Sequence, residues 1–385
     1  MPSETRRVVR PRLVSEIPTP ALVLDAAALG RNIARMARFF NAGPCRLRPH
    51  VKAHKTPEIA RRQLAAGSCV GLTCATVSEA EAVAAFCDDV LIANEMVDAD
   101  KCARVAALQR HTRMTVAVDS IAGVEALSAA GRAAGVRVGV LVDVNVGQNR
   151  CGVSPDTEAV DLARRISGTD GLTLRGVMGY EGHAQPIRDR REREERARDA
   201  MGALTATADE LRAAGLACDV VSAGGTGTFD ISGRFTGITE IQAGSYALMD
   251  SDYGEVRVPF EQAFWVLGTV ISRPSRDRCV ADCGHKALTK DHGLPEVNWI
   301  AGAVVTALND EHATIALPPG ASIGVGDRIQ LVPSHTDPTV NLHDVFYVVE
   351  GDRVVDIWPI ERGYSEQRSA RLSTDQRAGT PRGVS

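Results

Sequence analysis

From residue 46 onward, short runs rich in β-branched residues alternate with longer stretches in which apolar residues recur every three or four positions. Side chains alternate across a strand but recur every 3.6 residues around a helix, so the two patterns predict strands and helices in turn. The predicted strands are 46–52 (RLRPHVK), 69–76, 89–94, 113–119, 136–145, 173–180, 218–225 and 240–244. The segments between them, such as TPEIARRQLAAG and SEAEAVAAF, carry the helical spacing, and Ser120 is placed to cap the helix that follows it. Strand-helix alternation predicts a parallel sheet. Eight such units in about 200 residues predict an α/β protein built on a closed (β/α)8 TIM barrel rather than an open sheet.

After about residue 262 the rhythm changes to strand runs without long helices, as in FWVLGTVIS, RIQLVPSH and VFYVVEGDRVVDIWPI. This predicts a second, mostly antiparallel β-domain. The expected division is a barrel over 18–262, a β-domain over 263–363 and a disordered polar tail over 364–385, with segment 18–26 able to pair with the second domain.

The chain has 385 residues and a net charge of -4, which argues against a nucleic-acid partner. No apolar run approaches the ~20 residues that span a bilayer, and the start lacks the apolar core of a signal peptide, so a cytoplasmic protein without a membrane partner is expected. Nine cysteines are scattered through predicted strands and helices, as reduced thiols would be. Cys279, Cys283 and His285 offer three metal donors, but no fourth follows at zinc-finger spacing, and ordinary strand and loop thiols are the favoured reading.

In a parallel barrel the strand C-termini form one face, where side chains distant in sequence converge. Lys52 stands at the end of the first predicted strand, with His50 two residues earlier on the same side. A lysine there pairs with an anion, reaches water, or serves as a neutral nucleophile for an aldehyde cofactor. The seventh strand runs into SAGGTGT (222–228), containing Gly225 and Thr226, and the eighth into QAGSYALMD (242–250), containing Gly244, Ser245 and Tyr246. Glycine turns after strands seven and eight let backbone N–H groups approach a phosphate. Arg150 follows the fifth strand and offers a cation for an oxyanion, and Tyr180 follows the sixth and offers a flat face to an aromatic ring.

A lysine, a phosphate cradle, an aromatic face and an arginine together meet the needs of pyridoxal 5'-phosphate. The sequence resembles the alanine racemase-type (fold type III) enzymes that use this cofactor, and among them the metal-activated D-threonine aldolase and D-serine dehydratase group. The resemblance runs from about residue 18 to 363 and is carried by RPHVKAHK, VGQNRCGV, GGTGT, QAGSYALMDSDY, NDEH and PSHTDPTVNLHD. It implies that Lys52 holds the cofactor as a Schiff base, that Lys55 belongs to the next helix, that Arg150 stands near O3' and that Tyr180 faces the ring. Gln242 falls where alanine racemases place an arginine against the pyridine nitrogen.

His335 and Asp337 lie two apart after a predicted strand and would share one side of an extended chain. Imidazole with carboxylate suits a divalent metal whose other positions stay open. The resemblance implies that this pair holds the activating metal. Dehydratase members commonly have a cysteine as second ligand, whereas Asp337 is the aldolase choice, and its harder oxygen favours Mn2+, with Zn2+ or Mg2+ as alternatives. The implied activity is retro-aldol cleavage of a D-3-hydroxy amino acid to glycine and an aldehyde by a homodimer. Dehydration to a keto acid and ammonia is the second reading, and a non-catalytic carrier of the cofactor the third. His54 and His312 are the candidate bases.

Overall fold

The computed structural model describes residues 12–363, so the tail expected over 364–385 lies outside the described residues. Its strands are β1 (Ala21–Asp25), β2 (Arg46–Leu47), β3 (Leu72–Cys74), β4 (Asp89–Ile92), β5 (Arg113–Val118), β6 (Val138–Asp143), β7 (Leu172–Met178), β8 (Val220–Ala223) and β9 (Glu240–Ile241). The later ones are β10 (Phe264–Ser275), β11 (Arg278–Ala281), β12 (Glu296–Val297), β13 (Val304–Leu308), β14 (Ala313–Ala316), β15 (Arg328–Val332), β16 (Val345–Glu350) and β17 (Arg353–Pro359).

Strands β2 to β9 form one parallel sheet in the order β2-β9-β8-β7-β6-β5-β4-β3. Its two ends meet through Leu47 N–H to Ser68 O (3.0 Å), Val70 N–H to Leu47 O (3.0 Å) and Thr73 N–H to Pro49 O (2.8 Å). The sheet is therefore a barrel, and helices follow its strands. Ser120 Oγ accepts Gly123 N–H to cap the helix Ile121–Ala134, which ends at Gly135 with φ +68°.

Strand parity sorts the buried residues into two sets. Val90, Ile92, Val116, Val118, Val140 and Val142 join the large core under the helices. Leu91, Ala117, Leu141 and Met178 form a separate cluster inside the barrel. Below it, Arg48 pairs with Asp89 (2.9 Å) and Glu240 (2.7 Å), and Arg175 reaches Asp89 (3.4 Å). The barrel is thus plugged by a charged floor and an apolar middle, which leaves its C-terminal mouth as the open end.

The second sheet runs β11-β14-β13-β12-β15-β10-β1-β16-β17, and β11 also pairs with β10. β1 lies antiparallel to β10 and parallel to β16, so the chain starts in the β-domain before it builds the barrel. Asp25 closes β1 and caps the first barrel helix, Ala26–Asn41, by accepting Ala27 and Ala28 N–H. This threading sets the loop after β15 against the barrel mouth. No helix of the described residues is long and apolar enough to cross a membrane.

Candidate active site

β2 stops at Leu47, well short of the extended run expected to residue 52. Pro49 has no N–H for a continued ladder, and the chain turns instead into one 3-10 turn, Val51–Ala53. Lys52 is presented by that turn, whose start His50 caps by accepting Lys52 N–H at Nδ1 (3.4 Å). The same-side strand geometry expected for His50 and Lys52 is replaced by this cap. Burial first, then the charges of Lys52, His54 and Lys55, hold the His50 imidazole well below its usual pKa, so it stays neutral. Lys55 is buried in an ion pair with Glu79, away from the mouth. Two neighbouring lysines thus do separate things.

The mouth holds a cavity of about 660 Å³ lined by Lys52, Arg150, Tyr180, Gly225, Thr226, Gln242, Gly244 and Ser245 from the barrel, and by His335 and Asp337 from the β-domain. The Arg150 guanidinium lies 5.5 Å from the Tyr180 ring centre. Gln242 Nε2 donates to Ser222 Oγ (2.9 Å), which fixes the amide. Tyr246 does not line the cavity. Its ring is fully buried with its hydroxyl accepting from Gln63 (3.1 Å), while its backbone N–H donates to Thr226 Oγ1 (3.0 Å) and ties the two glycine loops together.

The first glycine turn is braced from behind by two residues of the GYEGHAQ segment, which the sequence reading used only for Tyr180. Glu181, fully buried, accepts from Gly224 N–H (3.1 Å), Thr228 Oγ1 (2.7 Å) and Ser232 Oγ (2.5 Å). Gln185 accepts Gly227 N–H (2.7 Å) and donates to Thr228 Oγ1 (2.8 Å). A Cβ at Gly225 would stand 2.7 Å from Gln185 Oε1, and one at Gly244 2.7 Å from His50 O. With their neighbours so occupied, the N–H groups of Gly225, Thr226 and Ser245 bond to no acceptor among the described residues.

The pair after β15 is not extended. His335 stands at the N-cap position of the short helix Thr336–Val340 without a side-chain cap bond, Asp337 lies in the helix's first turn, and both side chains line the cavity. Asp337 Oδ2 is 3.0 Å from Lys52 Nζ, and this carboxylate is the main cause that raises the lysine's pKa, against the opposing effect of burial. Asp337 Oδ1 is buried with no partner. His335 Nδ1 is 2.7 Å from Asp291 Oδ2, and its ring stacks on His292 at 4.1 Å. Buried Asp250 holds the helix by accepting Thr336 N–H (2.8 Å) and Thr336 Oγ1 (2.7 Å).

Residues 24–252 match the model for the alanine racemase N-terminal domain, and residues 263–349 the model for the putative serine dehydratase domain. A D-threonine aldolase of Arthrobacter sp. is 42% identical, with 91% of this chain and 94% of that protein covered. The chain belongs to the D-threonine aldolase and D-serine dehydratase group of fold type III enzymes. Another member, the D-threo-3-hydroxyaspartate dehydratase of Delftia sp. strain HT23, is 30% identical over 90% of this chain and 98% of its own. The crystal structure of D-threonine aldolase from Filomicrobium marinum superposes with a TM-score of 0.89 at 41% identity, covering 91% of this chain and 97% of that one.

This family depends on pyridoxal phosphate, and the mouth fits it. Unbonded N–H groups stand in a turn whose glycines leave room that a Cβ would fill, with a lysine amine in the same cavity. A divalent cation is matched by donor chemistry: the orphaned Oδ1 of Asp337 and the imidazole of His335, whose Nε2 takes no hydrogen bond among the described residues.

Besides Tyr246, five predicted or weighed positions are not brought to the cavity. Both nitrogens of His54 are used inside the protein, by Gln63 (3.2 Å) and Thr56 N–H (3.1 Å), and burial above all lowers its pKa to about 4. His312 is exposed in the turn between β13 and β14. Cys279 and Cys283 are buried, while His285 pairs with Asp310 (2.8 Å). Among the described residues these last three form no metal-sized cluster. His183, which sequence reasoning passed over, has Nδ1 buried without a partner in the turn Gly182–Ala184 between Tyr180 and Gln185.

Proposed function

We propose that this protein is a pyridoxal-phosphate- and divalent-metal-dependent lyase that splits the Cα–Cβ bond of a D-3-hydroxy amino acid into glycine and an aldehyde. The observation that carries the choice of cleavage is Asp337, a carboxylate 3.0 Å from Lys52 Nζ where a dehydratase would commonly offer a thiolate. The higher identity to the aldolase than to the dehydratase supports the same reading.

Lys52 would hold the cofactor by its amine, the N–H groups of Gly225, Thr226 and Ser245 its phosphate, Arg150 its phenolate oxygen, Tyr180 its ring face and Gln242 its ring nitrogen. His335 and Asp337 would hold a divalent metal, with Mn2+ favoured by the hard oxygen donor. When bound, the cofactor supplies an electron sink at Cα and the metal supplies Lewis acidity at the substrate hydroxyl. Gln242, a neutral amide anchored on Ser222, brings no charge to the ring nitrogen. Neutral His50 orients the turn that carries Lys52, and Asp337 holds the proton on Nζ until the amine is needed. Tyr180, half-buried in the cavity wall, remains a neutral phenol because desolvation raises its pKa more than Lys52 lowers it.

A homodimer belongs to the same reading, and the exposed Leu294, Trp299 and Val304 beside the β-domain rim are apolar surface for such a contact. Its mass by light scattering tests it. The activity is tested by supplying the cofactor-loaded protein and Mn2+ with D-threonine, D-serine or D-3-hydroxyaspartate. Glycine with an aldehyde is the expected product pair. A keto acid with ammonia would assign the dehydratase reaction instead, and no turnover of any of the three would remove the lyase reading.

A further inference from the structure

At the rim of the cavity, four side chains form two parallel carboxylate–imidazole pairs. Asp291 Oδ2 is 2.7 Å from His335 Nδ1, and Asp252 Oδ2 is 3.0 Å from His292 Nδ1. The two imidazoles stack at 4.1 Å with only 13° between their planes. Asp291 is itself fixed, because its Oδ1 accepts the Thr289 hydroxyl (2.6 Å) and its N–H donates back to Thr289 Oγ1 (3.2 Å).

A carboxylate can only accept, so the hydrogen at His335 must sit on Nδ1, and the lone pair of the neutral ring is then on Nε2. That lone pair lies in the plane of the ring. The His292 ring stacks on it with ring centres 4.1 Å apart and planes within 13°, so an ion in the plane of His335 lies off the plane of His292 and away from the lone pair of that ring. It therefore walls the ring rather than sharing its ion. Asp291 has both oxygens committed, one to each neighbour.

We infer that Asp291 is the positioning residue of the metal centre: it sets His335 in the Nδ1–H form and at the rotation that offers Nε2 to a divalent cation, while His292 fixes the plane. The inference rests on the metal role given to His335 above. A hydrogen-bonded carboxylate both orients a ligating imidazole and makes it more basic, and its loss typically weakens metal binding about 10- to 100-fold.

The test is Mn2+ binding to the cofactor-loaded protein without substrate, read by titration calorimetry and by the paramagnetic resonance of free Mn2+. Asp291→Ala should weaken binding by about 10- to 100-fold while the cofactor colour and thermal midpoint hold, since a merely structural role would move those two instead. Asp291→Leu, of similar size and with no atom to accept the Nδ1 hydrogen, gives the same readout if the alanine variant fails to fold. His335→Ala should lose binding, and adding Asp291→Ala to it should change nothing further. Binding within about twofold of the parent in both Asp291 variants, with His335→Ala still defective, overturns this inference alone. Unaltered binding in His335→Ala overturns the metal role on which it rests. A further loss in the double variant would make Asp291 a ligand and refute positioning.

Discussion

Replacing Glu181 tests whether the glycine turn is a built anion site. Its carboxylate is fully buried and takes three hydrogen bonds, from Gly224 N–H, Thr228 Oγ1 and Ser232 Oγ. A buried donor left without its acceptor costs about 1–3 kcal/mol, but the two hydroxyls can rotate toward other acceptors while the backbone N–H cannot. Glu181→Ala should therefore destabilise by about 3–5 kcal/mol, and isosteric Glu181→Gln, which keeps one oxygen, by about 2 kcal/mol. The same change frees Gly224 and Thr228, which bracket the N–H groups of Gly225 and Thr226, so the phosphate should feel it and the pyridine ring should not. The assay compares the affinity of Glu181→Gln for pyridoxal phosphate and for pyridoxal by absorbance titration, beside a thermal melt. A loss of about tenfold for the phosphorylated form, equivalent to about 1.4 kcal/mol, with pyridoxal unchanged, is expected. Equal losses for both, or none for either, would show that the turn does not hold the phosphate.

Lys52→Ala should yield a protein that folds normally but stays colourless with pyridoxal phosphate, since its amine is the one that would form the yellow imine; retained, borohydride-bleachable colour would point to another lysine. Gly225→Ala should weaken phosphate-dependent cofactor uptake, because the new Cβ would lie 2.7 Å from Gln185 Oε1 and displace the side chain that accepts Gly227 N–H; unchanged uptake of cofactor would contradict the cradle. For His54, the unfolded imidazole binds a proton near 6.5 but the folded one not until about 4, so the unfolded chain holds more protons between these values. Stability should accordingly fall by about 3 kcal/mol from this group alone as pH drops through that window, and denaturant melts of His54→Gln should show a flatter dependence there.

Much of the barrel was legible because its cause is local. Runs such as 89–94 and 113–119 predict strands found at Asp89–Ile92 and Arg113–Val118, where both faces are buried and β-branched residues fill them. The reading overran where chemistry begins. Pro49 ends β2 early, and the residues beyond it form a turn because the ladder there reduces to single bonds around the proline. Spacing also missed the local backbone at His335 and Asp337. A two-residue interval implies one face in extended chain, but a helix starts at Thr336, held by Asp250, and the two side chains reach the same cavity from its N-terminal turn. Glu181 and Gln185 were not legible, since buried acceptors of backbone N–H groups leave no periodic trace in a sequence, and neither was Asp291, whose partner His335 is 44 residues away.

Asp250 is the step that joins the two domains into one site. It follows the eighth barrel strand, is nearly fully buried, and accepts Tyr253 N–H (2.9 Å) on its own side and both Thr336 donors on the other. Burial raises its pKa, while the Tyr253 N–H and the two Thr336 bonds act against that rise. Because Thr336 stands between His335 and Asp337, the carboxylate of Asp250 sets the height of both side chains over Lys52. Reacting groups must be placed within fractions of an ångström, and a misplacement of about 1 Å can cost a hundredfold in rate. In the proposed reading the barrel supplies the amine and the cradle, and a helix of the β-domain brings the group that would meet the substrate hydroxyl. On that reading a substitution at 337 would change which bond is broken while leaving every contact of the cradle in place, so Asp337→Cys should shift the products toward keto acid and ammonia without altering cofactor affinity, and unchanged products would refute the role given to 337.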